Sequence, residues 1–329
     1  MRRRGQTLLL VEGNHEKNEL FQLIFKSFPE LSIKMEDVWI YGTNIYMLYE
    51  DIVKEYGNDW DEIDIDLPLL ISKKVLEERR YKDEFVNIYL IFDYERHDPN
   101  FSSEKIIRMQ RYFSDAADNG QLYISYPMIE AYQDLEDFDI THYIDKKVAV
   151  SVRPGKEYKR LVRKSFIEEA VSHYSHMYDV LRGHFGITDE DSLERAVNEM
   201  FMLKSSEDIS DSLVEILKEY VGQNKIYTAA NQLKDYISRI GYIVDGFNYW
   251  EHMRDIFISI IKVNILKAFG IQENRPNGDL GLRDIYEYLN FETILKIQNS
   301  ASESEDGFIW ILSTCVFLVA EYNFNLLMK

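Results

Sequence analysis

Five acidic residues are spaced so that a folded chain could bring them to one place. Glu12 and Glu16 stand four residues apart in V-E-G-N-H-E, Asp93 and Glu95 stand in D-Y-E, and Glu130 stands in Y-P-M-I-E-A-Y. Carboxylate oxygens are hard ligands. One or two of them, completed by water and phosphate, suit Mg²⁺ and its octahedral shell. These residues can do that chemistry only if the chain delivers them to a common edge.

The segments before them are built to do so. Leu8 to Val11 is a short apolar run, the pattern of a strand buried on both faces, and Glu12-Gly13 interrupts it. Asn14 is placed to cap a helix whose apolar positions are Leu20, Phe21, Leu23, Ile24 and Phe28, and Glu16 returns to the strand end from its first turn. Gly13 permits close backbone approach or a positive φ. Asp37 to Tyr41 reads as a second strand and Ile45 to Tyr56 as a helix after Thr43-Asn44. Asn87 to Phe92 reads as a third strand ending at Asp93, and alternate residues of a strand share a face, so Asp93 and Glu95 can point together. A helix capped by Ser102 or Ser103 follows. Gln121 to Tyr126 is a fourth strand, ended by Pro127, with Glu130 just beyond. Strands alternating with helices imply a parallel-dominated sheet with helices on both faces. Glu12, Asp93 and Glu130 then fall at the carboxyl ends of strands, where open α/β sheets hold ligands.

V-E-G after the first strand and D-x-E after a later one resemble the Toprim domain of topoisomerases, bacterial primases, the RNase M5 group and OLD-type nucleases. The family usually has D-x-D, so Glu95 reaches one methylene further. The Glu12–Glu16 spacing is similar to the nuclease branch, where the second acid helps hold metal. Y-P-M-I-E-A-Y is similar to a segment of Toprim nucleases that act beside an ABC-type ATPase in phage defence, the PARIS type included. That resemblance implies that Glu130 supports or binds a second ion. It also implies that Lys156, in P-G-K-E-Y-K, matches the lysine of OLD-type nucleases. The activity so implied is Mg²⁺- or Mn²⁺-dependent phosphodiester cleavage of DNA or RNA, tRNA included. Glu12, Asp93 and Glu95 would hold metal, with Glu16 and Glu130 supporting it or holding another ion, and Glu12 would alternatively shuttle a proton. An ABC-type ATPase partner and a homodimer go with this reading. The alternatives are a non-catalytic Toprim-fold regulatory subunit and an RNase M5-like RNA-processing enzyme.

The formal charge of −19 excludes a protein that grips nucleic acid by a wholly basic surface. Contact with phosphate would need a local basic surface, a metal ion or a basic partner. The densest basic stretch is Lys146, Lys147, Arg153, Lys156, Lys159, Arg160, Arg163 and Lys164. No P-loop, G-x-G-x-x-G, H-E-x-x-H or C-x-x-C motif occurs. Asn58 to Asp66 lacks the glycine and terminal glutamate of an EF-hand and reads as a solvated acidic loop or docking insertion. His97, close to Asp93 and Glu95 in sequence, reads as a loop residue, with protonation of a leaving group or orientation of water as the alternative, and His173 with His176 as polar surface. Cys315, the single cysteine, reads as core, consistent with a cytoplasmic protein. Arg2-Arg3-Arg4 before Leu8 has the sign order of a signal peptide, but the apolar segment is too short.

From Tyr158 onward every periodic segment reads as helix, Gly307–Leu327 included; Phe308 to Met328 is apolar but too short to span a bilayer and reads as a buried or interface helix. The expected organisation is a Toprim-like α/β domain over residues 1–157, with an insertion at about 50–84. An all-α domain over 158–329 would then serve substrate, dimer or partner contact. No membrane association is expected.

Overall fold

The computed structural model describes residues 6–76, 78–153, 155–162, 176–183, 185–201, 203, 209–220, 222, 225–274 less 241–248, and 279–328. Arg2 to Arg4, Arg163, Lys164 and His173 lie outside the described residues.

Four parallel strands form the frame: β1 (Gln6–Val11), β2 (Val38–Ile40), β3 (Phe85–Asp93) and β5 (Gly120–Tyr126), with the two-residue β4 (Ser114–Asp115) antiparallel to β5. The order is β2-β1-β3-β5-β4. The sheet is thus mixed but mostly parallel, as the alternation of apolar runs and helical segments implies. Leu8, Leu9, Leu10 and Val11 are all fully buried, as are Leu90, Phe92, Leu122 and Tyr123. Successive strand residues point to opposite faces, so both faces of the central strands are covered. Gly120 opens β5 at φ +121°, and a Cβ there would lie 2.9 Å from Leu90 Cδ1, so the tight entry into β5 needs glycine.

The acidic stretch after the Ile45–Tyr56 helix is not a solvated loop throughout. Trp60 is fully buried against Tyr112 and Phe113. Asp61 accepts from Arg108 Nε at 2.7 Å, and Asp66 caps the Leu67–Val75 helix by accepting from the Leu69 N–H. Its acids act mostly as local anchors.

The second half differs most from expectation. The chain divides into two compact units, one formed by Met1–Glu168 with Phe257–Lys329, the other by Glu169–Ile256. The expected 157/158 division is therefore not where the chain parts. Nor is Gly307–Leu327 one helix. It forms β7 (Phe308–Trp310), β8 (Leu312–Ser313), a 3₁₀ turn at Cys315–Phe317 and the short Leu318–Asn323 helix. β8 adds antiparallel to β5, with Ser313 opposite Ser125, and β7 pairs with β6 (Lys147–Ala149). Thr314 Oγ1 both accepts from the Ile124 N–H and donates to the Ile124 carbonyl, at 2.9 Å each. The physical reason lies in the residues: F-I-W-I-L is aromatic and β-branched, fit for a pleated buried edge as much as for a helix. The expected burial does hold, with Ile309, Ile311, Leu312 and Cys315 to Val319 in the core. Before this segment run two helices, Leu282–Tyr288 and Phe291–Ser302, and Asn290 starts the second by accepting from the Thr293 N–H.

The other unit is helical among its described residues, with Glu190–Phe201, Ile209–Lys218 and Ile226–Ile240. Leu193, Val197, Leu213, Leu217 and Leu233 form its core. No described helix is long and apolar enough to cross a membrane.

Candidate metal centre

Register decides how the first carboxylates meet. Val11 lies opposite Ile91 across β1 and β3, so Glu12 emerges beside Phe92 and just short of Asp93. The Asp93 N–H donates to Glu12 Oε2 at 3.2 Å. β3 ends at Asp93, so pleat alternation does not carry Glu95 to the same face. Instead Glu95 takes a left-handed backbone, φ +45°, which costs a non-glycine residue about 1 kcal/mol. That turn brings its carboxylate back. One ligand atom from each of Glu12, Asp93 and Glu95 lies within 4.8 Å of the others.

The D-Y-E turn is held from both sides. Tyr46, in the Ile45–Tyr56 helix, donates its hydroxyl to the Tyr94 carbonyl at 2.9 Å, and Asn44 Nδ2 donates to Asp98 Oδ2 at 2.6 Å. Tyr94 is fully buried between Phe101 and Tyr126; its hydroxyl donates to Asn299 Oδ1 at 2.6 Å and lies 3.1 Å from Ser302 Oγ. Arg96 Nε donates to the same Ser302 Oγ at 3.0 Å. The Phe291–Ser302 helix therefore fixes the site loop, a role the sequence did not signal.

Glu16 and Glu130 sit beside this group. The first helix opens as a π-helical turn, Glu16–Phe21, and Glu16 Oε2 accepts the Gly13 N–H at 2.9 Å. A Cβ on Gly13 would stand 3.3 Å from that oxygen, so glycine leaves the carboxylate its room. Glu130 lies in a 3₁₀ turn, Ile129–Gln133, and is only 4% exposed. Its Oε1 is 2.6 Å from Lys159 Nζ and 3.2 Å from His15 Nε2, and His15 Nδ1 is 3.0 Å from Glu19. The Glu130 contacts are ion pairs by distance, without the angles of directed hydrogen bonds.

Lys156, the lysine that the resemblance implied, is exposed at the start of the Lys156–Val162 helix. Lys159, one turn on, is the one that reaches Glu130. The signal was present: Tyr158 and Val162 define the buried stripe of this helix, and Lys159 lies beside it. The Tyr158 hydroxyl donates to Asp134 Oδ2 at 3.0 Å, and Lys146 Nζ donates to Asp134 Oδ1 at 2.7 Å, which anchors the helix. His15 and Asp98 were likewise missed, and His97 is exposed.

The electrostatics are those of crowded, half-desolvated acids. Glu12 is pushed up to about 8 by burial and by the Glu95 charge, against the lowering effect of the Asp93 N–H. Asp93 is held well above the usual carboxylate range by burial, then by Glu12, Glu16, Glu130 and Glu95. Burial also raises Glu16 and Glu95, the latter with help from Asp98. Burial pulls His15 and Lys159 down, but neighbouring carboxylates more than offset it: Glu19 and Glu130 for His15, and Glu130, Asp93 and Glu16 for Lys159. Asp93 Oδ1 is buried and receives no hydrogen bond. An unpaired acceptor at that depth costs about 1–3 kcal/mol, more if charged, unless a proton or a cation meets it. All-oxygen donors, one of them orphaned, fit a hard divalent ion.

Cavity size does not locate this centre. An apolar cavity of about 760 Å³ is lined by Ile144, Leu266, Ile271, Ile297, Phe308 and Trp310 among others, and by none of the five carboxylates. No family model, curated protein or solved structure matches the chain.

Proposed function

We propose that the protein is a divalent-metal-dependent nuclease of the Toprim type, with Mg²⁺ or Mn²⁺ at Glu12, Asp93 and Glu95. The observation that carries this reading is the convergence of those three carboxylates within 4.8 Å, at the carboxyl ends of parallel strands, around a buried Asp93 oxygen with no donor. When bound, the ion would supply Lewis-acid polarisation of a phosphate and lower the pKa of attacking water. The chain's own residues do the rest. Asp93 is fixed by the end of β3, and Glu95 by its left-handed turn. Glu12, pushed up to about 8 by burial and the Glu95 charge, can hold or release a proton at its carboxylate. Lys159 places an ammonium beside the acids, where it can meet a phosphate oxygen.

The charge of −19 gives weight to a second reading, a regulatory subunit that keeps the fold to bind protein. An ABC-type ATPase partner, a homodimer, a cytoplasmic location and a role in phage defence accompany the first reading through the Toprim resemblance. The test is direct. Purified protein with Mg²⁺ or Mn²⁺ is offered plasmid DNA, total RNA and tRNA, with and without a candidate ATPase. Cleavage that Asp93→Asn abolishes supports the nuclease. No cleavage under any of these conditions favours the regulator.

A further inference from the structure

The carboxylates divide into two groups with different partners. Glu130, nearly buried, already has the Lys159 ammonium at 2.6 Å and the His15 ring at 3.2 Å from one oxygen. Glu16 is engaged by the Gly13 N–H at 2.9 Å. Among the described residues, no lysine, arginine or histidine ion-pairs with Glu12, Asp93 or Glu95; Asp93 Oδ1 has neither a hydrogen-bond donor nor a cation, whereas Glu130, which also receives no directed hydrogen bond, has both cations on its Oε1.

We propose that Lys159 takes the place of a second divalent ion, so that the centre binds one ion, at Glu12, Asp93 and Glu95. This rests on the metal-dependent reading above and goes beyond it, since five acids at one edge would otherwise suit a pair of ions. A second ion between Glu16 and Glu130 would meet an ammonium held 2.6 Å from Glu130 Oε1, on the same carboxylate. Like charges that close repel strongly where water is scarce. To enter, the ion would have to displace Lys159 from a carboxylate that is only 4% exposed. The lysine is also built in: its helix is anchored next door by the Tyr158–Asp134 hydrogen bond at 3.0 Å, with Asp134 held in turn by Lys146. A tethered ammonium supplies one fixed positive charge without dependence on metal concentration. It cannot bridge several oxygens as a divalent ion does.

The experiment is a Mn²⁺ titration of the full chain at pH 7.5, following free Mn²⁺ by electron paramagnetic resonance, with melting curves for every variant. Wild type is expected to bind one ion. Lys159→Met should bind two, because Glu130 loses its ammonium and Glu16 beside it no longer faces a fixed positive charge, whereas Lys159→Arg should stay at one. Glu130→Gln should change the affinity of the first ion by less than about threefold, and Asp93→Asn should weaken it by at least about tenfold. Two equivalent ions in the wild type overturn the inference but leave the metal-dependent reading intact, and this holds even if Lys159→Met does not fold. A single ion in a folded Lys159→Met variant also overturns it. No Mn²⁺ bound by the wild type overturns the metal-dependent reading itself.

Discussion

The Asp93 backbone N–H donates to Glu12 Oε2 across 81 residues of chain. This bond ties the end of β3 to the end of β1. It also lowers the Glu12 pKa, against burial and the Glu95 charge, which raise it.

The metal-free protein should lose stability as pH rises. Glu12 moves from an ordinary 4.5 to about 8 on folding, and Asp93, Glu16 and Glu95 shift in the same direction. A folded state that holds its protons more tightly than the unfolded chain is favoured below the unfolded pKa. That advantage is lost as pH climbs through the folded one. Melting temperature without metal should therefore fall between about pH 4.5 and 8. Added Mg²⁺ or Mn²⁺ should raise it most near pH 8, by about 5 °C or more, and hardly at all near pH 5. The rise should largely vanish in Asp93→Asn; equal rises in both proteins would count against the site.

Much of this centre was legible because its frame is written in apolar runs. L-L-L-V and I-Y-L-I-F are short apolar runs of strand length bounded by polar residues, and what interrupts them lies at an edge. The left-handed turn at Glu95 was not legible, since no glycine or asparagine marks it and tertiary contacts from Tyr46 and Asn299 enforce it. Lys159 was hidden by a nearby lysine with the better motif match. β7 and β8 were hidden because a continuous apolar run has no period that separates a strand from a buried helix.

The Phe291–Ser302 helix should matter to metal binding although it carries no ligand. Tyr94→Phe keeps the ring against Phe101 and Tyr126 but leaves Asn299 Oδ1 without its donor. The expected cost is about 1–2 kcal/mol of stability. A loosened D-Y-E turn should also weaken Mn²⁺ binding several-fold. Calorimetric titration that finds unchanged affinity in a destabilised Tyr94→Phe would show that the helix only supports the fold.

Truncation tests where the chain divides. A chain ending at Glu168 lacks β8, the Thr314 bonds to Ile124 and the buried Cys315–Val319 segment, so the edge of β5 and its apolar cover are exposed. It should be insoluble or unfolded by circular dichroism. A variant that replaces only 169–256 with a short Gly/Ser linker should keep cooperative unfolding. A soluble, cooperatively folding 1–168 fragment would restore the simpler two-half organisation.

Glu12→Gln separates chemistry from packing. Glutamine keeps the shape of the side chain and its carbonyl oxygen can still accept the Asp93 N–H, while the charge that Glu95 and Asp93 resist is removed. Metal-free stability at pH 8 should hold or rise, and its decline between about pH 4.5 and 8 should flatten, because the carboxyl that burial pushes up to about 8 no longer titrates. Divalent-ion stabilisation should shrink, since one of three ligand charges is gone. Nuclease activity should fall by at least about a hundredfold, whether Glu12 holds metal or carries a proton. Activity, melting temperature and Mn²⁺ affinity are measured on the same preparation. If Glu12→Gln folds normally and cleaves at close to the wild-type rate, the acids at this sheet edge do not perform the reaction, and the protein-binding reading takes its place.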